Sequence, residues 1–273
     1  MVRHEVVFLP SILTLEQLRE RPRAPASGPP RIAVLADPVF EADDPRVTPG
    51  GPPSGAGAPA TPHRDLARAL RDVGPGPAGS ALPRLPYSRD EADAIVAAAA
   101  PRPVLRLLDF DASRSTALSA RLDGYDIVHF ATHGVLDDAR PEASGLVLSL
   151  VDRAGRPQDG FVGVRDLYGL KRAVELVVLS GCRTGLGQEI RGEGLLGVVR
   201  AFLHAGARRV VASLWEVDDR ATAVFMKAFY EAMLASRHAP AAALREAQLA
   251  LRGWPRWRDP FYWAAFVVQG EWN

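Results

Sequence analysis

Cysteine is almost missing from this chain: in 273 residues there is one, Cys182. A lone thiol cannot close an internal disulfide or build a thiolate-rich zinc site, so what remains for it is burial or reactivity. Lysine is nearly as scarce. Of 33 basic residues only Lys171 and Lys227 are lysine, and with the abundance of Ala, Gly and Pro this points to a GC-rich bacterial genome. An excess of one charge is lacking too. The 33 basic and 32 acidic residues leave a net +1, so no chain-wide field exists to gather nucleic acid, and a charged partner has to be recognised locally. No run approaches the roughly 18 to 20 apolar residues that span a bilayer, which argues against membrane insertion. The stretch from Val6 to Leu13 is short, lies between Glu5 and Glu16, and lacks a basic leader or small-residue cleavage site, so it does not read as a signal peptide. The expected location is cytoplasmic. No repeat at a solenoid period is present.

What is there is an ordinary globular composition, 47% hydrophobic and 24% charged, enough for one large domain. Three segments separate. Residues 1–37 carry a first strand, Arg31 to Ala36, closed by Asp37-Pro38. Residues 38–79 are crowded with Pro and Gly and read as a flexible surface excursion, with one short helix expected over His63 to Asp72. Residues 80–273 alternate. Helices are expected over Ser88–Ala99, Ala112–Leu122, Gly194–Ala205, Asp218–Leu234 and Ala239–Leu251. Strands are expected over Val104–Leu108, Asp126–Ala131, Val174–Ser180 and Arg209–Leu214, with a final run at Tyr262–Val268. Gly145–Val151 and Gly160–Val164 suggest a hairpin or a pair of edge strands. This rhythm predicts an α/β fold, a three-layer α/β/α sandwich on a mostly parallel sheet.

In such sheets ligands gather beyond the carboxyl ends of the strands. Two strand ends carry reactive side chains, Phe130-Ala131-Thr132-His133-Gly134 and Leu179-Ser180-Gly181-Cys182-Arg183. A cysteine nucleophile needs its thiolate, and a nearby imidazole supplies it. Gly134 and Gly181 let a substrate backbone approach and free local N–H groups for an oxyanion, which suits acyl transfer. The spacing, 182 − 133 = 49 residues, is close to the roughly 50 between histidine and cysteine in caspases.

Those two blocks, with Gly192-Glu193-Gly194, Ala201-Phe202-Leu203-His204-Ala205-Gly206, Ser213-Leu214-Trp215-Glu216-Val217-Asp218-Asp219 and Phe261-Tyr262-Trp263-Ala264-Ala265-Phe266, resemble the signature blocks of CHAT domains, relatives of caspases and separases. The resemblance is densest from Ser88 onward. It implies a caspase-like cysteine peptidase with His133 and Cys182 as catalytic pair, the backbone N–H groups of Gly134 and Cys182 as oxyanion donors, no cofactor and no metal. It also implies a protein or peptide substrate, an upstream or separate regulatory sensor, and limited proteolysis in signalling or defence. Two departures stand out: Gly181 replaces a frequent alanine, and no helical repeats precede the domain in this sequence.

Each feature has a plainer reading. Cys182 alone suits a small core residue. His129, by strand alternation, faces away from His133 or lies within the sheet and reads as structural. Glu216, Asp218 and Asp219 follow a strand where an acidic wall would receive Arg or Lys before the scissile bond, yet Asp218 equally suits an N-cap. Arg183 and Glu193 either pair to close the cysteine loop or touch substrate. The loop from Thr184 to Gly192 is glycine-rich and expected to be mobile before substrate binds. Trp215, Tyr262, Trp263 and Phe266 read as core. Gly192 to Gly197 fits G-x-G-x-x-G, but about a dozen residues separate it from the preceding strand, which disfavours a dinucleotide site. No third residue orienting His133 is evident. A catalytically silent interaction module and a nucleotide-binding domain are the rival readings.

Overall fold

The computed structural model describes residues 4–9, 11–21, 28–48, 66, 82–181 and 193–272. Short aliphatic runs form the strands. β1 (Val7–Phe8), β2 (Ile32–Ala36), β3 (Val104–Leu108), β4 (Ile127–Ala131), β8 (Val174–Leu179), β9 (Ala207–Ser213) and β10 (Phe266–Gly270) make one seven-stranded sheet in the order β1-β10-β9-β8-β4-β2-β3. Every pairing is parallel except β10 with β9. β5 (His133–Val135), β6 (Gly145–Val147) and β7 (Phe161–Gly163) form a small antiparallel sheet of their own. The hairpin expected over 145–164 is thus present, shorter than its sequence pattern suggested.

Side-chain alternation divides the core between the two faces of the main sheet. Ala33, Leu35, Val128, Phe130, Val177 and Leu179 face one way. There they meet apolar residues of α1 (Ile12–Glu20), α3 (Arg114–Leu118), α4 (Val164–Tyr168) and α5 (Glu193–Ala205). Ile32, Val34, Ile127, Leu176 and Val178 face α2 (Tyr87–Ala99), α6 (Asp219–Leu234) and α7 (Pro240–Gly253). The three-layer α/β/α sandwich expected from the sequence is therefore what the chain forms. Helix α6 supplies much of the second layer, with Phe225, Met226, Phe229 and Tyr230 fully buried and Phe225 stacked on Phe266 at 4.2 Å. Truncating such a phenylalanine to alanine costs about 3–5 kcal/mol.

Some elements differ from expectation, for local reasons. The helix anticipated over Ala112–Leu122 is broken into α3 and one 3₁₀ turn, Ala120–Leu122. Ser113 and Ser119 cause the breaks, since each side chain accepts a backbone N–H two or three residues on and so starts a new segment. The run Tyr262–Val268 is a strand only from Phe266, because Asp259 caps a turn at Pro260–Tyr262. Helix α1 was not anticipated. Leu15 and Leu18 are its buried residues, while Ile12 and Leu13 are exposed, which blurs the periodic signal. It is docked by the buried Arg208, which donates to the carbonyls of Leu18 and Arg21 and pairs with Glu271 at 2.9 Å.

Of the Pro/Gly-rich stretch, residues 38–48 are described, with Val39 and Phe40 buried and Glu41, Ala42 and Asp43 exposed. Leu66 is described, helical and buried; the rest of the expected helix over 63–72 lies outside the described residues. Among the described residues no helix is long and apolar enough to cross a membrane.

The turn from α5 into β9 depends on Gly206, whose φ is +122° and where an added Cβ would stand 2.3 Å from the Arg172 carbonyl oxygen. Gly206→Ala should therefore lower the urea midpoint with the m-value unchanged, by about 1–3 kcal/mol of stability.

Candidate functional site

Parallel register brings three chain exits to one level. Ala36 of β2 pairs with Ala131 of β4, and Phe130 of β4 with Leu179 of β8. Asp37, Thr132-His133 and Ser180-Gly181 therefore leave the sheet side by side. Hydrogen bonds stitch the last two together: Ser180 N–H donates to the Phe130 carbonyl at 3.1 Å, and Gly134 N–H donates to the Gly181 carbonyl at 3.2 Å. Thr132 Oγ1 donates to the Val147 carbonyl, tying the exit to the small sheet.

His133 begins β5 and is 3% exposed. Its Nε2 lies 2.6 Å from the Pro83 carbonyl oxygen, and its ring packs on Phe40 with centroids 5.2 Å apart. A carbonyl can only accept, so Nε2 carries the hydrogen and Nδ1 is the nitrogen that can take up a proton. The sequence showed no orienting partner for His133; the chain has one in the main chain, where no residue type announces it.

Gly181 is the last described residue before 193. Cys182, Arg183 and the loop Thr184 to Gly192 lie outside the described residues, as does the side chain of Glu193. At Gly181 an added Cβ would stand 2.3 Å from the Thr132 carbonyl oxygen. The close approach of the two exits thus accounts for glycine at this position.

Beside these exits a small pocket opens between the N-terminal ends of α2 and α6. Ala131, His133, Ser180 and Gly181 form one side; Ser88 and Glu91 of α2 face Glu216, Asp219 and Thr222. Two of the three acidic residues expected to form a wall line it, and Asp218 does not. Asp218 instead caps α6, its Oδ1 accepting from Ala221 N–H at 2.8 Å. Glu91 was missed by sequence reasoning. The signal was a carboxylate on the helix face that also carries Ala92, Ile95 and Ala99 to the core.

Glu91 is 1% exposed and enters a buried polar chain. Its Oε1 lies 2.7 Å from His129 Nε2 without hydrogen-bond geometry. His129 Nδ1 meets the Tyr230 hydroxyl at 3.1 Å, and Ser180 Oγ stands 3.3 Å from His129 Nε2. His129 thus points to the α2 and α6 face and acts as a link between buried groups. Burial pushes the Tyr230 hydroxyl well above its ordinary range, with the charge of Glu91 adding to it.

Asp219 is pushed up to about 6, first by burial and then by the charges of Glu91, Asp218 and Asp37, against the lowering effect of the Tyr87 N–H that it accepts at 2.9 Å. Gly194 N–H, in the first turn of α5, donates to Asp138 Oδ1 at 2.8 Å. Among the described residues no cluster of His, Cys, Asp and Glu has the makings of a metal site.

The direction of the Asp219 shift fixes a pH dependence. A carboxyl raised from 3.8 to about 6 favours the folded state fully below pH 3.8, and that contribution is lost as pH rises to about 6. Against Asp219→Asn, the parent should lose melting temperature between pH 4 and 6 and then hold a constant difference up to pH 8. Parallel curves across the whole range would refute the assignment.

Tetratricopeptide repeat protein 28 of Mus musculus is 37% identical over 106 residues, which is 39% of this chain and 4% of that protein. The Homo sapiens protein is 34% identical over 114 residues, 42% of this chain and again 4% of the relative, so the chain matches only a small part of either. The Saccharomyces cerevisiae separase-securin complex aligns over 97% of this chain and 14% of that one, with 14% identity and a TM-score of 0.46. The Arg specific cysteine proteinase gingipain R aligns over 72% and 44%, with 10% identity and a TM-score of 0.46. The CHAT domain family model matches residues 1–271, and on that match the chain belongs to the CHAT domain family.

Proposed function

We infer that this CHAT domain is a cysteine endopeptidase that cuts a partner protein at restricted sites, with Cys182 as nucleophile and His133 as its base. The observation that carries the reading is the setting of His133. It is buried, fixed through Nε2 by a carbonyl, and joined by the Gly134–Gly181 hydrogen bond to the residue that immediately precedes the chain's one thiol.

In this mechanism His133 Nδ1 takes the Cys182 proton, and the thiolate attacks the scissile carbonyl carbon to form the C–S bond. His133 then gives that proton to the departing amine as the C–N bond breaks, and water hydrolyses the thioester with His133 again as base. The Cys182 N–H is proposed as oxyanion donor. The Gly134 N–H, expected in the same role, is already donated to the Gly181 carbonyl and can serve only after releasing it. Arg183, next to the nucleophile, is proposed to contact substrate.

The pocket supplies the preference. Glu91, Glu216 and Asp219 surround a space in which no described lining residue is Arg or Lys, so a guanidinium or ammonium fits the residue before the cut. The setting we propose is cytoplasmic and regulatory, in bacterial signalling or defence, with the trigger delivered by a sensor.

An electrophilic peptide probe ending in arginine should give one adduct, on Cys182, that is lost in Cys182→Ala and His133→Ala. In a peptide library, cleavage should follow Arg or Lys, and Asp219→Asn or Glu216→Gln should lower kcat/KM for those substrates by about tenfold or more. A preference for aspartate would overturn the pocket assignment. Failure of every probe to label Cys182 would instead identify a catalytically silent interaction module.

A further inference from the structure

Asp37, the first residue after β2, has a fully buried side chain and a φ of +48°. Three guanidinium groups converge on it. Arg84 binds it as a fork, Nε to Oδ1 at 2.9 Å and Nη2 to Oδ2 at 2.8 Å; Arg89 Nε reaches Oδ2 at 2.8 Å, and Arg46 Nη1 reaches Oδ1 at 3.0 Å. Arg46 and Arg89 are further held by Asp109, and Arg46 by Asp44. The Asp37 N–H donates to Ser88 Oγ at 3.0 Å. Arg84 is held more strongly to its proton than a free arginine, chiefly through its hydrogen bonds to Asp37.

Of the three arginines, Arg84 alone sits next to the residue that holds His133. The Pro83 carbonyl that accepts from His133 Nε2 belongs to the peptide unit joining Pro83 to Arg84, and that unit is planar. Anchoring Arg84 at its Cα and at its fork restrains the plane, while the proline ring restrains the φ that precedes it. The sheet makes the connection short, since Asp37 and His133 leave neighbouring strands at one level.

We propose that Asp37 and Arg84 are positioning residues for His133, acting through the Pro83 carbonyl. This rests on the reading of His133 as the base. Neutralising a buried carboxylate would require no particular arginine. Aiming the carbonyl requires Arg84, and this separates the two roles.

The experiment compares Arg84→Gln with Arg89→Gln, each of which removes one guanidinium from Asp37. His133 is titrated by the NMR signal of its ring Cε1–H in Cys182→Ala protein, so the measurement does not depend on catalysis. Losing the acceptor at Nε2 weakens the imidazolium, so Arg84→Gln should move the midpoint down by about half a pH unit, or about threefold in proton affinity. Arg89→Gln should leave it in place even if the protein melts earlier. Glu91, Glu216 and Asp219, which share the pocket with His133, are retained in both. In an Asp37→Asn background Arg84→Gln should add nothing to the shift.

Equal midpoints in the two variants overturn the proposal and leave the cluster a purely structural one. If Arg84→Gln does not fold, Arg84→Lys, which keeps charge without the fork, is expected to move the midpoint the same way, and an unmoved midpoint there also overturns it. The rate of alkylation of Cys182 by iodoacetamide tests the underlying reading separately. It should fall about threefold at pH 6.5 in Arg84→Gln. A rate indifferent to His133→Ala would sink the Cys–His reading while a moved midpoint left the positioning role intact.

Discussion

Parallel pairing in strict register is the constraint on which the rest of this molecule depends. Because Ala36 lies opposite Ala131 and Phe130 opposite Leu179, the chain leaves three neighbouring strands at a single rim. Everything with chemical potential follows from those exits: a carboxylate, an imidazole and the approach to a thiol. A one-residue slip of β4 would exchange its two faces, putting Phe130 where His129 meets Tyr230 and Glu91, and moving His133 away from Pro83. The apolar alternation of the strands therefore specifies the site as firmly as it specifies the core.

How far this was legible in the sequence depends on what kind of group did the work. Side-chain pattern carried a good deal in the aliphatic runs, which marked β2, β4, β8 and β9, but alternation did not set His129 apart from His133: four residues apart, both lie toward α2 and α6, and the glycine at 181 serves the close approach of the two exits. Main-chain roles left no trace in residue identity. The Pro83 carbonyl could be any carbonyl, and the short strand β5 owes its existence to β6, a partner that His133-Gly134-Val135 does not reveal. Asp37 was visible only as the end of a strand, because its arginines come from 46, 84 and 89 and meet only in the fold. The serines that break the expected helix at 113 and 119 were readable in principle, as caps outweighing a weak apolar period.

Charge is handled by concentration. A net charge of +1 conceals two opposed neighbourhoods within one rim, guanidinium groups massed around Asp37 and carboxylates around the pocket. Arginine suits the first, since its planar fork satisfies a buried carboxylate in two directions where an ammonium offers a point charge. The same preference appears across the sheet, where buried Arg208 and Arg209 reach Glu271, Glu175 and nearby carbonyls. Scarcity of lysine, whatever its genomic origin, matches an interior built on such forks.

Asp219 shows the reverse of that generosity. Its carboxylate receives one amide hydrogen from Tyr87 and sits among like charges, a frustrated arrangement that folding tolerates without relieving. A cleft with this excess of carboxylates favours positive charge. On the proposed specificity, a cationic side chain entering it would relieve these like charges, so that occupancy and thermal resistance would rise together.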